Sequence, residues 1–449
     1  MNFRPFGKYS WAVLWLGLAI AAAVPSTTQA QSLTSDEKVL SMERSFEADF
    51  ENHFGRDLAT VTLGSSGIAD TLTRLDAETN TKSAVLWVMP REDSLHLVLV
   101  TADGETIIRD LFDVPKAELT AIANRFNQSI STPRRSPNLE AAQQLHEWII
   151  KPFESEFLRG AGVNNLLVCL GDGVRGLPLA ALYDGEQFLI EKYSLSRIPA
   201  FNLINTDYST IQQGGILAMG ASEFSEQSPL PAVPLELTTI VKQLRSVKPA
   251  KEEWSELSLL NQAFTQANLR AILENRSFDI VHLATHADFN SGAPANSYVQ
   301  FSDRKVTLQE MSDFAWIKEA APAVELLVLS ACRTAVGDSE AELGFAGIAL
   351  QAGVKSAIAT LWNISDAGTL AFMSSLYREF SLHTTKAAAV RQTQLNMLRN
   401  DINFEDNQLV ISPDNQIPIP DEIWQTAQFI RDFSHPYYWA GFSMISSPW

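Results

Sequence analysis

The chain has 449 residues, which is enough for two or three packed units, and its composition is that of an ordinary globular protein. It carries 52 acidic and 34 basic residues, so its formal net charge is −18. Such a charge repels nucleic acids and anionic membrane surfaces, and the sequence has no basic patch interleaved with aromatic residues. Composition therefore argues against nucleic-acid binding.

The first 30 residues have the pattern of a secretory signal peptide. Arg4 and Lys8 precede an apolar stretch from Trp11 to Val24, and residues 28–30 resemble a small-residue cleavage site. An uncleaved anchor is the alternative, although the apolar stretch is shorter than the roughly 20 residues that a spanning helix needs. Cleavage after Ala30 would leave 419 residues (449 − 30). We therefore expect an exported protein, periplasmic or extracellular, with no stable membrane span after removal of the signal.

Two units are predicted before residue 139. An N-terminal helix over 31–57 is indicated by apolar positions at helical spacing and by Gly55, which would end it. A small β-rich segment over 58–138 follows, with strands predicted near 84–89, 95–100 and 106–111. Its last residues, 130–138, are rich in Ser, Thr, Pro and Arg and predict a linker.

From residue 139 to 449, predicted strands alternate with predicted helices. The predictions include one helix over 139–158, a hairpin over 188–198 and an acidic loop over 400–422. This alternation predicts an α/β fold with a doubly wound, mainly parallel sheet sandwiched by helices. In such sheets the functional site lies at the carboxyl ends of the strands.

Two apolar, β-rich segments end on reactive side chains at that edge. Residues 281–286 end at His286, and residues 328–332 end at Cys332, 46 positions later (332 − 286). A thiol becomes a nucleophile when a nearby base removes its proton, so this pair predicts a Cys–His dyad. Two alternatives stay open: a buried structural thiol, or a disulfide between Cys332 and Cys169, the other cysteine of the chain.

Several motifs in order resemble the CHAT domain, a family of caspase-like cysteine peptidases related to separase. They are HLATH over 282–286, LSAC over 329–332, the small-residue stretch 347–353, the Leu-Trp pair 361–362 and HPYYWA over 435–440. The caspase pattern also places its histidine roughly 50 residues before its cysteine. The resemblance covers about 140–446 and implies a caspase-like fold. Tetratricopeptide repeats, which often precede this domain in the family, are not visible in this sequence.

The resemblance implies a role for each site residue. Cys332 would attack a peptide carbonyl, His286 would act as acid and base, and the backbone N–H of Ala287 would bind the oxyanion. Family members often have glycine at the position of Ala287, and an acid and a glycine where Arg333 and Ala335 stand here.

Other polar residues near these strands have simpler explanations. We expect His282 to be a structural partner rather than a base, and Trp439 with its neighbouring tyrosines to be core. Asp366 either lines a P1 pocket for Arg or Lys or caps the helix that starts after it, and the two roles are compatible. The paired ligand spacings of a zinc site are missing, so no metal and no cofactor are predicted.

The sequence thus predicts an exported caspase-like cysteine endopeptidase acting on protein or peptide substrates, with a regulatory protein partner as a further expectation. The alternative is a catalytically inactive caspase-like scaffold or sensor domain. An α/β hydrolase is excluded because no Gly-x-Ser-x-Gly motif is present.

Overall fold

The computed structural model describes residues 33–58, 61–211, 214–246, 254–314, 316, 324–334, 338–430 and 432–449, and for residues 331–334 it describes the backbone alone. The predicted signal peptide, residues 1–30, lies outside this part of the chain. Within the described part, no helix combines the length and apolar character needed to cross a membrane.

Thirteen of the described strands form one large sheet, and three more form a small separate one. In chain order they are β1 Ser83–Pro90, β2 Leu95–Thr101, β3 Thr106–Leu111, β4 Asn165–Leu170, β5 Ser194–Ile198, β6 Gly215–Gly220, β7 Ser255–Leu260, β8 Ile280–Phe289, β9 Tyr298–Gln300, β10 Lys305–Thr307, β11 Leu326–Thr334, β12 Ser356–Thr360, β13 Asn403–Glu405, β14 Gln408–Ser412, β15 Asn415–Pro418 and β16 Phe442–Ser446.

The described helices cover both faces of the large sheet. They are α1 Ser35–Phe54, α2 Ser65–Thr79, α3 Lys116–Ile130, α4 Leu139–Ile149, α5 Lys151–Phe153, α6 Leu189–Lys192, α7 Val233–Leu244, α8 Gln266–Asn275, α9 Leu308–Met311, α10 Ser339–Ala346, α11 Ile348–Ala352, α12 Asp366–Leu382, α13 Lys386–Leu398 and α14 Asp421–Ala427.

The large sheet is mainly parallel, as predicted. Seven of its twelve described strand pairings are parallel and five are antiparallel. One end of the sheet has the order β7-β6-β8-β11-β12, and β16 joins it to β5-β4-β1-β2-β3. The predicted α/β fold class is therefore confirmed.

The parallel strands form two blocks that run in opposite directions, which the sequence did not indicate. Strand β16 is antiparallel to β12 but parallel to β5, so β4 and β5 run against β8 and β11. The carboxyl ends of β8 and β11 therefore lie at the opposite edge from the carboxyl end of β4. Asp172, in the turn after β4, consequently lies away from His286.

The N-terminal elements join the same sheet. Strand β1 pairs in parallel with β4, with Trp87 opposite Cys169. The segment before the predicted boundary at residue 138 is therefore hydrogen-bonded to the segment after it. Helix α1 lies within the segment 31–57 that was predicted to be an N-terminal helix, and Gly55 ends it in the left-handed conformation at φ 66°. Whether residues 58–138 form a unit of their own remains a prediction.

Four local predictions were wrong. Helix α2 lies in a segment that was predicted to be β-rich, and the predicted hairpin over 188–198 is α6 followed by β5. The predicted single helix over 139–158 is interrupted, because Pro152 cannot donate an interior helical hydrogen bond, and residues 154–158 form a π-helical turn. The predicted loop over 400–422 contains β13–β15.

Candidate active site

His286 lies near the carboxyl end of β8, half-buried, beside the loop that connects β6 to α7. Its Nε2 atom is 2.9 Å from the carbonyl oxygen of Ser228 in that loop. A carbonyl oxygen can only accept, so Nε2 carries the hydrogen and donates it. In the neutral ring the lone pair is then on Nδ1, which makes Nδ1 the basic nitrogen.

A second contact fixes the plane of the same imidazole. The Phe224 ring packs on His286 with centroids 4.7 Å apart and an interplanar angle of 57°. Together, the phenyl ring and the Ser228 carbonyl restrict both rotation of the imidazole and its tautomer, as is required of a catalytic base.

The backbone register brings Cys332 beside His286. Strands β8 and β11 are parallel neighbours, with Ala331 opposite His286 and Cys332 opposite Ala287. The register shifts between Leu329 and Ala331, because β8 contributes one extra residue there. Such a β-bulge bends the strand and re-aims its side chains, and bulges of this kind are common beside active sites.

The disulfide alternative is excluded. Cys169 is a free, buried cysteine, and burial raises the pKa of its thiol well above the usual value. Three strands lie between β4 and β11, so their backbones are roughly 19 Å apart at the usual strand spacing of about 4.8 Å. A disulfide needs Cα atoms within about 7 Å.

Ala287 is an interior residue of β8. It pairs with Cys332 on one side and with Val299 of β9 on the other, and its side chain is buried. The expected oxyanion donor thus lies directly beside the Cys332 backbone, within the ladder of the sheet. Its role in binding an oxyanion stays a prediction.

His282 has the structural role that the sequence predicts. It is fully buried; its Nε2 is 2.8 Å from Glu236 Oε1 of α7, and its Nδ1 is 2.9 Å from the Tyr377 hydroxyl of α12. Burial raises the pKa of Tyr377, so that hydroxyl stays protonated and donates to Nδ1. Both ring nitrogens are therefore occupied, and His282 joins one strand to two helices.

Asp366 is the first residue of α12 and does not cap it. The cap is Ser365, whose hydroxyl accepts the Gly368 N–H at 3.2 Å, so the predicted capping role of Asp366 is wrong. Asp366 Oδ2 accepts the N–H of Ala232 at 2.7 Å. Burial, reinforced by the carboxylates of Glu236 and Glu422, raises the pKa of Asp366 to about 7.

The loops that follow β8 and β11 are also tied together. The Ser291 hydroxyl donates to Asp338 Oδ2 at 2.6 Å, and this bond lowers the pKa of Asp338. The same carboxylate caps α10 by accepting the N–H groups of Glu340 and Ala341. The segment that follows Cys332 is thus anchored to the segment that follows His286.

Comparison with protein families gives a match to the CHAT domain over residues 139–447, more than half of the chain. The chain belongs to the CHAT domain family. The match begins at the first residue of α4, so α1–α3 and β1–β3 precede the CHAT domain. A comparison with curated proteins finds no match.

Among solved structures, the chain is similar to two crystal structures of the Saccharomyces cerevisiae separase–securin complex. The TM-scores are 0.49 and 0.47 at 11% and 10% identity, covering 85% of this chain and 31% of the separase chain in each case. A complex of Porphyromonas gingivalis RgpB pro- and mature domains matches with a TM-score of 0.39 at 11% identity, covering 75% of this chain and 77% of that one. The chain therefore spans less than a third of the separase chain.

Sequence reasoning missed the groups that contact the two histidines of β8 in this CHAT domain. Ser228 acts through its backbone carbonyl, which any residue type could supply, so no sequence signal marks it. Glu236 and Tyr377 lie on helices far from His282 in sequence. A buried histidine whose strand is apolar predicts polar partners of some kind, but not their positions.

Proposed function

We propose that this chain is an exported cysteine endopeptidase of the CHAT family, with Cys332 as nucleophile and His286 as acid and base. The observation that carries the proposal is the register of β8 and β11, with Cys332 one position beyond the residue opposite His286. The lone pair that the Ser228 carbonyl leaves on His286 Nδ1 supports the role of base.

The proposed reaction has two steps. His286 takes the thiol proton, the Cys332 sulfur attacks the peptide carbonyl carbon, and the imidazolium returns the proton to the leaving amine as the C–N bond breaks. Water, deprotonated by His286, then hydrolyses the thioester and releases the acid and the free thiol. The N–H groups of Ala287 and Cys332 would stabilise the oxyanion in both steps.

Asp366 is proposed to select a basic P1 residue. One of its oxygens is held by the Ala232 N–H, which leaves Oδ1 as an acceptor for a guanidinium or ammonium group. Neighbouring Glu236 and Glu422 add negative charge rather than neutralising it. The substrate class is therefore a protein or peptide with Arg or Lys before the scissile bond.

The test is hydrolysis of a peptide panel that differs only in P1, using the wild type and single variants. We expect cleavage after Arg or Lys, and loss of at least about a thousandfold in Cys332→Ala and His286→Ala. Cys169→Ala is the matched control, since it removes the other thiol and should retain activity. Equal turnover in wild type and Cys332→Ala would refute the proposal.

A second candidate is an inactive scaffold or sensor that binds a protein partner. It is favoured by one observation: Ala287, unlike a glycine in a flexible turn, is paired with strands on both sides. This candidate predicts no turnover for any P1 residue, and equal reactivity of the Cys332 thiol in wild type and His286→Ala.

A further inference from the structure

The β6–α7 loop, residues 221–232, provides both contacts that orient His286. The Phe224 ring packs against the imidazole, and the Ser228 carbonyl accepts its Nε2–H. The loop is closed at its base, because the Leu230 N–H donates to the Ser222 carbonyl at 3.0 Å. The position of His286 therefore depends on what holds this loop.

The first end of the loop is held by Asn261, which follows the edge strand β7. Asn261 Oδ1 accepts the N–H of Ser222 at 2.8 Å and lies 3.2 Å from the Ser222 hydroxyl. Asn261 has φ 51°, in the left-handed region that asparagine tolerates better than most residues. Strand β6 lies between β7 and β8, so Asn261 is two strands away from His286.

The other end of the loop is held by Asp366, through the Ala232 N–H. Ser228 thus lies between two anchored ends, and its carbonyl has little freedom to move while both anchors are intact. Because Asp366 is also a proposed substrate contact, the anchoring is tested at the hydrogen bond between Asn261 and Ser222.

We propose that Asn261 is a positioning residue for His286, acting through Ser222 and the β6–α7 loop. This inference rests on the proposed peptidase function, although one of its readouts does not. Loss of the Asn261 anchor loosens the loop at Ser222, shifts the Ser228 carbonyl and lets the imidazole rotate or change tautomer. Misplacement of a catalytic group by about 1 Å can cost about a hundredfold in rate.

Two substitutions separate the hydrogen bond from the backbone conformation. Asn261→Gly keeps the positive φ and removes the acceptor, whereas Asn261→Asp keeps an acceptor oxygen and tolerates the same φ. We expect Asn261→Gly to lower kcat by about tenfold or more with KM nearly unchanged, because substrate contacts are untouched. Asn261→Asp should stay within about threefold of the wild type. A kcat for Asn261→Gly within twofold of the wild type would overturn the proposal.

A spectroscopic readout distinguishes failure of this inference from failure of the peptidase proposal. Nitrogen NMR of the imidazoles, assigned with His286→Gln, reports the tautomer of His286 in a Cys332→Ala background. We expect the Nε2–H form in that background and a mixture of tautomers when Asn261→Gly is added. An unchanged tautomer would overturn the positioning role, whether or not the wild type cleaves peptides. A changed tautomer in an inactive wild type would support positioning and refute the peptidase.

If Asn261→Gly does not fold, as judged by its thermal unfolding, Ser222→Pro removes the same hydrogen bond from the donor side. Ser222→Ala is its matched control, since it keeps the N–H. We expect the tautomer mixture with proline and not with alanine; identical spectra for the two would overturn the proposal.

Discussion

His282 and His286 lie four residues apart on one strand, and their hydrogen-bond partners give them different chemistry. The two nitrogens of His282 are occupied by Glu236 and Tyr377, and the side chain is fully buried. His286 has a carbonyl partner on Nε2 and is half-buried, so its other nitrogen is the basic one. Residue type alone would not separate these two roles.

The first prediction concerns the buried network around His282. Tyr377→Phe removes one donor and leaves His282 Nδ1 unpaired, which should lower the free energy of unfolding by about 1–3 kcal/mol. Glu236→Ala leaves a donor without its charged acceptor and should cost at least as much. Denaturant unfolding of both variants measures these losses, and two variants as stable as the wild type would contradict the structural role of the network.

The second prediction concerns the charge of Asp366. Its pKa of about 7 lies above the usual value, so the carboxyl group is neutral below that pH and charged above it. Selectivity for a basic over a neutral P1 residue should therefore rise as pH increases from about 6 to about 8, by roughly tenfold for one charged hydrogen bond. The ratio of the kcat/KM values for a basic and a neutral P1 substrate measures this selectivity. Any pH dependence that comes from His286 cancels in the ratio, because His286 acts on both substrates.

Asp366→Asn is the control for that prediction, since it keeps an acceptor for the Ala232 N–H and cannot ionise. Its selectivity should be low and independent of pH. A variant that kept the wild-type pH dependence would show that Asp366 does not contact the P1 side chain.

At the scale of elements, helix α1 is held on the sheet by one buried carboxylate. Glu43 accepts the indole N–H of Trp87 at 2.7 Å, the N–H groups of Phe201 and Asn202, and the Asn202 side-chain amide. Burial raises the pKa of Glu43. At its other end α1 meets the α10–α11 junction, where a Cβ at Gly347 would lie 2.6 Å from the Phe54 ring.

The third prediction concerns the hydrogen bonds that Glu43 accepts. Glu43→Ala leaves three buried backbone or indole donors without an acceptor, and should lower the free energy of unfolding by about 3 kcal/mol or more. Lys38→Ala, on the exposed side of α1, should change it by less than about 0.5 kcal/mol. Denaturant unfolding compares the two, and equal effects would contradict the docking role of Glu43.

Elements with strong local signals were predictable from the sequence, and those that depend on partners were not. Apolar and β-branched runs bounded by turn residues identified β1–β3, and the spacing of Phe46 and Phe50 identified α1. The segment over 188–192 has β-like apolar residues, yet the Glu191 carboxylate accepts the Phe188 N–H and a helical turn forms. The bulge in β8 depends on pairing with β11, which no local pattern encodes.

At the scale of the whole molecule, one sheet contains strands from the CHAT domain and strands from the segment before it. The pairing of β1 with β4 buries residues from both sides of residue 138, including Trp87 and Cys169. Separating the two parts would expose the apolar edge of β4.

The fourth prediction is that the whole chain unfolds in one cooperative transition. Far-ultraviolet circular dichroism and tryptophan fluorescence should give the same midpoint in denaturant, because β1–β3 and the CHAT domain share one sheet. Two separated midpoints would contradict this and would favour an independent unit over 58–138.

The part of the candidate site that could be predicted from the sequence is the approach of two strand ends at one edge of the sheet. Parallel neighbours with reactive residues at their carboxyl ends place His286 beside the Cys332 backbone, as the sequence indicated. The opposite direction of β4 was not predictable, because it depends on β16 at the end of the chain inserting between β12 and β5. The Ser228 carbonyl was invisible because it is backbone.

The central claim is that His286 activates the Cys332 thiol, and the pH dependence of alkylation measures this directly. In a Cys169→Ala background, the rate of iodoacetamide reaction at Cys332 should follow an apparent pKa below the ordinary thiol value of about 8.5, and His286→Ala should restore that value. An unshifted thiol pKa in both proteins would contradict the account.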